Sequence, residues 1–78
     1  MNIETEKIVG QNIRKLRENA NLTQEMLSAR LQTEGCDITR SALAKIEVGQ
    51  RHLYPDEIIL IKKILNVSFE EILNTENK

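Results

Sequence analysis

The chain has 78 residues and a net charge of −1, with 40% hydrophobic and 29% charged residues. A chain of this length hides only about 60% of the surface that its unfolded form exposes, so we expect one small domain without an elaborate catalytic cavity. The composition is globular, and no apolar run approaches the roughly 18 residues of a membrane span. The first residues lack the pattern of a signal peptide, so the expected location is the cytoplasm.

Residues that could carry catalysis or bind a metal are scarce. Cys36 and His52 are the only cysteine and histidine, which excludes an intramolecular disulfide and a structural zinc site. Cys36 lies beside Asp37 without a neighbouring cation to favour its thiolate, and no glycine-rich phosphate loop is present. We therefore expect a protein that is not an enzyme and that needs no cofactor.

Positive charge is concentrated in one segment. Residues 38–54 have a net charge of +2, whereas residues 1–37 and 55–78 have net charges of −1 and −2. The low total charge argues against a protein that coats nucleic acid without specificity. The positive charge of residues 38–54 is therefore only a weak indication of nucleic-acid binding by itself.

Helical periodicity runs along the chain, and no segment alternates with a period of two. A first helix is predicted from about Glu6 to Asn19. The residues expected on its inner face are Val9, Ile13, Leu16 and Ala20. A turn follows over residues 19–21, and Thr23 then serves as the N-cap of a second helix that ends near Gly35.

The third helix has the most informative pattern. Thr39 is its predicted N-cap, and the helix runs from Arg40 to about Val48, closed by Gly49. Spacing along the helix predicts a buried stripe of Ala42, Leu43 and Ile46. The opposite side carries Arg40, Ser41, Ala44, Lys45 and Val48.

Two further helices complete the pattern. Pro55 is suited to the first position of a fourth helix, which ends near Asn66. Ser68 and Glu71 form a capping box that begins a short fifth helix, and a frayed tail is expected to follow as far as Lys78. The sequence therefore predicts an all-α chain of five helices.

Two motifs in this helical frame resemble the phage repressor/Cro (XRE) helix-turn-helix family. The first is Leu-Thr-Gln-Glu-x-Leu at 22–27, and the second is Ile-Thr-Arg-Ser-x-Leu-x-Lys-Ile-Glu-x-Gly at 38–49. Each motif would be weak alone, but both occur in order inside a five-helix pattern. The similarity extends over roughly residues 8–73.

This resemblance implies a lambda repressor-like fold. It implies a single domain over 1–78, with a core at about 6–73 and a helix-turn-helix at about 23–49. One departure stands out, because six residues (32–37) separate Leu31 of the second helix from Ile38, which is five residues more than the tight turn that the family usually has. The resemblance gives no role for the longer turn.

The resemblance also implies residues that contact DNA. The third helix would enter the major groove and face the bases with Arg40, Ser41 and Lys45, with Ala44 close by. The plain alternative is a solvated polar face, which every amphipathic surface helix has.

Backbone phosphates would be contacted from two places. One is the start of the second helix, with Thr23 and Gln24, and the other is the segment after the third helix, with Arg51 and His52. The alternatives are an ordinary first turn of a helix and a surface histidine without a partner.

Two further pairs have implied structural roles. Arg17 and Glu47 resemble an ion pair that fixes the recognition helix in this family. Ile59 and Leu60 widen the apolar stripe of the fourth helix, which favours a homodimer through the fourth and fifth helices over a broadly buried helix.

Two functions are consistent with these features. The first is a sequence-specific regulator of transcription that binds double-stranded DNA, with a repressor as the expected type. The second is a protein-interaction module on the same scaffold, such as an antitoxin or anti-repressor, whose fourth and fifth helices bind a partner. The acidic flanks and the apolar width of the fourth helix favour the second, and the basic third helix favours the first.

Overall fold

The computed structural model describes residues 2–76, which form five α-helices and no strand. The helices are α1 (Ile3–Asn19), α2 (Gln24–Thr33), α3 (Arg40–Glu47), α4 (Pro55–Leu65) and α5 (Phe69–Leu73). The prediction of an all-α, five-helix chain is confirmed. The end of the tail for which fraying was expected, Asn77 and Lys78, lies outside the described residues.

The predicted helix boundaries have the expected local chemistry. The hydroxyl oxygens of Thr23, Thr39 and Ser68 each accept a hydrogen bond of 3.0–3.1 Å from the backbone N–H three residues later. These bonds satisfy N–H groups that have no partner inside a helix. Gly35 and Gly49 follow α2 and α3 with φ angles of +87° and +79°, which are left-handed values that suit glycine.

Two details of the first helix were predicted wrongly. The helix begins at Ile3 and not at Glu6, because the side chain of Asn2 accepts a hydrogen bond of 2.7 Å from the Thr5 N–H and caps the chain one turn earlier. Ala20 is exposed and not part of the inner face, because the helix ends at Asn19 and Ala20 is the C-cap residue.

One apolar core joins the five helices. α1 packs against α3 and α5, α2 packs against α3 and α4, and α4 packs against α5. Side chains without exposed surface come from every helix and from the turn before α3: Ile13, Leu27, Leu31, Ile38, Leu43, Ile61 and Ile72. α3 is therefore held between α1 and α2, with one side free.

α1 and α3 approach each other closely at Gly10. A Cβ placed on Gly10 would collide with the carbonyl oxygen of Ile46 and would lie 2.9 Å from that of Glu47. Only a glycine allows the backbone of α3 to lie this near to α1. The contact fixes the C-terminal end of α3.

Candidate nucleic-acid interface

The free side of α3 carries the basic residues that were predicted to face the bases of DNA. Arg40, Ser41 and Lys45 are exposed, and Ala44 is half-buried between them. Leu43 and Ile46 point into the core on the other side. The structure thus brings the four predicted base-contacting residues together on one surface.

The single acidic residue of α3 is turned away from that surface. Glu47 is 2% exposed, and its carboxylate accepts two hydrogen bonds from Arg17, at 2.7 Å from Nε and at 3.0 Å from Nη2. Arg17 also donates to the carbonyl of Leu22 at 2.8 Å. The pKa of Arg17 is raised, chiefly by its hydrogen bond to Glu47, so the guanidinium remains charged. The predicted pair is in contact, and it links α1 to α3.

Gln24 takes part in the same network. Its side-chain Nε2 donates to a Glu47 carboxylate oxygen at 3.0 Å. A primary amide has two N–H donors, so a second donor remains for a phosphate. This bond was not predicted, because the two residues are far apart in the sequence and no periodicity relates them.

Thr23 is occupied as a cap. Its hydroxyl oxygen accepts from the Met26 N–H at 3.1 Å, and its own backbone N–H donates to the sulfur of Met26 at 3.5 Å. The hydroxyl hydrogen of Thr23 stays available as a donor. The side chain therefore combines a capping role with a free donor at the N-terminus of α2.

The segment after α3 is held by acidic residues on both sides. Arg51 makes a bidentate ion pair with Glu57, in which Nη1 donates to Oε1 at 2.9 Å and Nη2 donates to Oε2 at 3.1 Å. The Nδ1 atom of His52 lies 3.0 Å from Oε2 of Glu6. Both predicted phosphate contacts thus have intramolecular partners, which a phosphate would have to share or replace.

Glu57 is a buried acid whose charge is compensated. Burial acts to raise the pKa of its carboxyl, but hydrogen bonds from Arg51 and from the Tyr54 N–H outweigh burial, and the pKa is lowered overall. The ionised form therefore fixes the entry into α4. Glu57 was not predicted from the sequence, although a glutamate at the third position of a helix is a known capping signal.

The two residues proposed for dimerisation differ in exposure. Ile59 is 54% exposed, whereas Leu60 is half-buried and packs against the core. Phe69 and Leu73 on α5 are also exposed, at 42% and 40%. These two α5 residues were not predicted, because the short fifth helix shows too few turns for its outer face to be recognised.

In the part of the chain that the structure describes, no group of histidine, cysteine and acidic side chains is arranged to hold a metal ion. Within the same residues, no helix is both long enough and apolar enough to cross a bilayer. Cys36 is buried, and burial raises the pKa of its thiol, as do the nearby charges of Glu57 and Asp56.

Comparison with known proteins supports the motif assignment. A family model described as helix-turn-helix matches residues 13–72, which include α2, α3 and α4 in full. Comparisons with curated proteins and with solved structures give no significant match. The matched family consists of DNA-binding domains of transcription regulators. The chain therefore belongs to the Cro/XRE-type helix-turn-helix family of DNA-binding domains.

Proposed function

We propose that the chain is a single helix-turn-helix domain that represses transcription by reading a specific DNA sequence in the major groove. The observation that carries the proposal is the free side of α3, which presents two cations while its only acid is buried. A side chain at the N-terminal end of a recognition helix is well placed to reach base edges. The protein is expected to act in the cytoplasm, where its proposed DNA partner would be found.

Each residue on the free side of α3 has a distinct proposed role. Arg40 donates two hydrogen bonds to O6 and N7 of a guanine, and Lys45, which follows later in the same helix, reaches the same kind of acceptors. Ser41 pairs with a neighbouring base edge. Ala44 has no bulk that would keep the helix away from the groove.

Phosphate contacts fix the register of the domain on DNA. We propose that Gln24 donates its second amide hydrogen to a phosphate at the N-terminus of α2, with the hydroxyl of Thr23 beside it. Arg51 uses donors that Glu57 leaves free, and His52 exchanges Glu6 for a phosphate. Because the net charge is −1, affinity depends on these local contacts more than on a general positive field.

The proposal includes a homodimer through α4 and α5. The exposed side chains of Ile59, Phe69 and Leu73 provide apolar surface on these two helices. A two-fold dimer would place two copies of α3 on one side of the duplex, about 34 Å apart. The expected operator is therefore a pseudo-palindrome.

The same apolar side chains favour the second candidate function, a protein-interaction module that binds a partner through α4 and α5. This candidate predicts no preference among DNA sequences, because the free side of α3 would then be only a solvated surface. The two functions thus differ in a property that can be measured on the purified protein.

Selection of binding sites from random DNA tests the proposal. The expected result is an enriched pseudo-palindromic sequence, which is then titrated at two salt concentrations beside a scrambled duplex. A specific site should bind on the order of 10³-fold or more tightly than the scrambled duplex. If no sequence is enriched and both duplexes bind alike, the DNA-reading proposal is wrong and the interaction module is favoured.

A further inference from the structure

The turn between α2 and α3 is long, but backbone hydrogen bonds and one buried side chain hold it in place. The carbonyls of Leu31 and Gln32 accept hydrogen bonds from the N–H groups of Cys36 and Gly35, at 2.9 Å and 3.0 Å. The carbonyl of Cys36 accepts from the Ile38 N–H at 2.9 Å. Cys36 is 9% exposed and belongs to the core, so the middle of the turn is anchored by an apolar side chain.

A side chain of α2 also holds the end of this turn. The Nε2 atom of Gln32 donates to the carbonyl of Ile38 at 3.1 Å. Ile38 directly precedes Thr39, the N-cap of α3. The amide of Gln32 therefore ties the last turn of α2 to the peptide from which α3 begins.

The two ends of α3 are thus positioned by different contacts. Its C-terminal end is fixed by Glu47, which bonds to Arg17 and Gln24, and by the close approach of Gly10. Its N-terminal end, where Arg40 lies, continues from the turn that Gln32 and Cys36 hold.

We infer that Gln32 and Cys36 are positioning residues that set where the N-terminal end of α3 lies in the major groove. The inference rests on the proposed function, because it assumes that Arg40 and Ser41 contact bases. A bidentate contact tolerates displacements of only about 0.5 Å. A turn longer than a tight one can serve a recognition helix only if it is fixed, and these two side chains fix it.

The test compares Gln32→Met with Gln11→Met. Both changes replace an amide with an apolar side chain of similar length and leave the net charge unchanged, and Gln11 is an exposed residue of α1. Binding of the selected duplex and of a scrambled duplex is measured for each variant, together with amide hydrogen exchange at Ala42, Leu43 and Ile46.

For Gln32→Met, the ratio of selected to scrambled affinity should fall on the order of 3- to 10-fold, as expected for the loss of one hydrogen bond. Amide hydrogen exchange should be faster than in the wild type at Ala42 and Leu43 and unchanged at Ile46. Gln11→Met should match the wild type in all of these measurements. Cys36→Ala shortens the side chain that holds the turn against the core. This change should also lower the ratio of selected to scrambled affinity.

Three outcomes would overturn the inference. An unchanged affinity ratio in Gln32→Met and Cys36→Ala would mean that the turn does not position α3. Exchange that accelerates equally at Ala42 and Ile46 would mean that the residues only stabilise the fold. A wild-type protein that does not prefer the selected duplex would overturn the proposed function itself, and the wild-type titration reveals this before any variant is made.

Discussion

Replacement of Arg40 tests whether this side chain contacts a base or only adds positive charge to the surface. It occupies the first position of α3 and is exposed. Arg40→Ala should weaken binding to the selected operator by about 1–3 kcal/mol and relax the preference at one base pair, because a bidentate contact is lost. Titration and a repeated site selection measure the two effects.

Arg30→Ala is the matched control for this change. Arg30 is an exposed arginine in the last turn of α2, so its loss removes the same charge away from the free side of α3. It should leave the selected sequence unchanged. If Arg40→Ala selects the same sequence as the wild type, Arg40 does not read a base.

The pair of Arg17 and Glu47 should contribute to stability through mutual compensation. Glu47→Ala leaves a buried guanidinium without its partner and should lower the free energy of unfolding by about 3 kcal/mol. Denaturant unfolding of both single variants and of the double variant measures the coupling. Strictly additive losses would show that the two side chains do not interact.

Glu57 should make stability depend on pH in the acid range. Its native pKa is lowered, so the ionised carboxylate stabilises the fold above the unfolded-state pKa of about 4.3, and this contribution is lost as the pH falls through the lower native pKa. Glu57→Gln should lower the free energy of unfolding by about 2 kcal/mol at pH 7. The difference from the wild type should shrink towards pH 3.

Denaturant unfolding at several pH values provides the measurement for Glu57→Gln. The control is Glu70→Gln, the same substitution at an exposed position of α5. Its free energy of unfolding should change with pH as that of the wild type does. The stabilising role of the ionised Glu57 carboxylate would be contradicted if the difference in the free energy of unfolding between wild type and Glu57→Gln stayed constant down to pH 3.

At the scale of the elements, the crossing of α1 and α3 depends on Gly10. Replacement of a glycine inside a helix by alanine ordinarily stabilises a helix by about 0.5–1 kcal/mol. Here the new Cβ would meet the backbone of Ile46 and Glu47, which cannot move as a flexible side chain can. Gly10→Ala should therefore destabilise the protein, by about 1–3 kcal/mol.

Thermal and denaturant unfolding of Gly10→Ala check the sign of this effect. Gln11→Ala, at the neighbouring exposed position, should change stability little. A stabilised Gly10→Ala would mean that α1 and α3 can separate without loss. DNA binding by the variant should also weaken, because α3 would be displaced from its support.

The helix pattern itself was largely predictable from local chemistry. Thr23, Thr39 and Ser68 were recognised as caps, because a cap is a property of a few consecutive residues. The start of α1 was placed too late, because Asn2 supplies a cap that periodicity of apolar residues does not reveal.

At the scale of the whole molecule, the proposed dimer depends on Ile59. Because Ile59 is exposed, Ile59→Glu should leave the fold of the monomer intact while it abolishes association and the cooperative part of DNA binding. Sedimentation at micromolar concentration and footprinting on the selected operator are the measurements. Ile3→Glu, the same change at an exposed position of α1, is the control and should remain dimeric.

Leu60 should behave differently from Ile59. Its side chain is half-buried against the core, so Leu60→Lys should lower the stability of the monomer as well as any association. A wild-type protein that sediments as a monomer and protects a single half-site would contradict the dimer model.

The sequence alone determined the number of helices, the N-caps of α2, α3 and α5, and the stripe of α3 that faces the core. These features depend on residues within one or two helical turns of each other, so spacing reveals them. The basic residues Arg40 and Lys45 were placed on the free side of α3 for the same reason.

The tertiary structure decided which polar side chains have partners. The bond from Gln24 to Glu47, the pairing of Arg51 with Glu57 and the contact of His52 with Glu6 depend on how the helices and the segment after α3 lie against each other. Local spacing does not encode such contacts, because packing of the core brings these residues together from distant or irregular parts of the chain. The close crossing at Gly10 arises in the same way, from the path of one backbone against another.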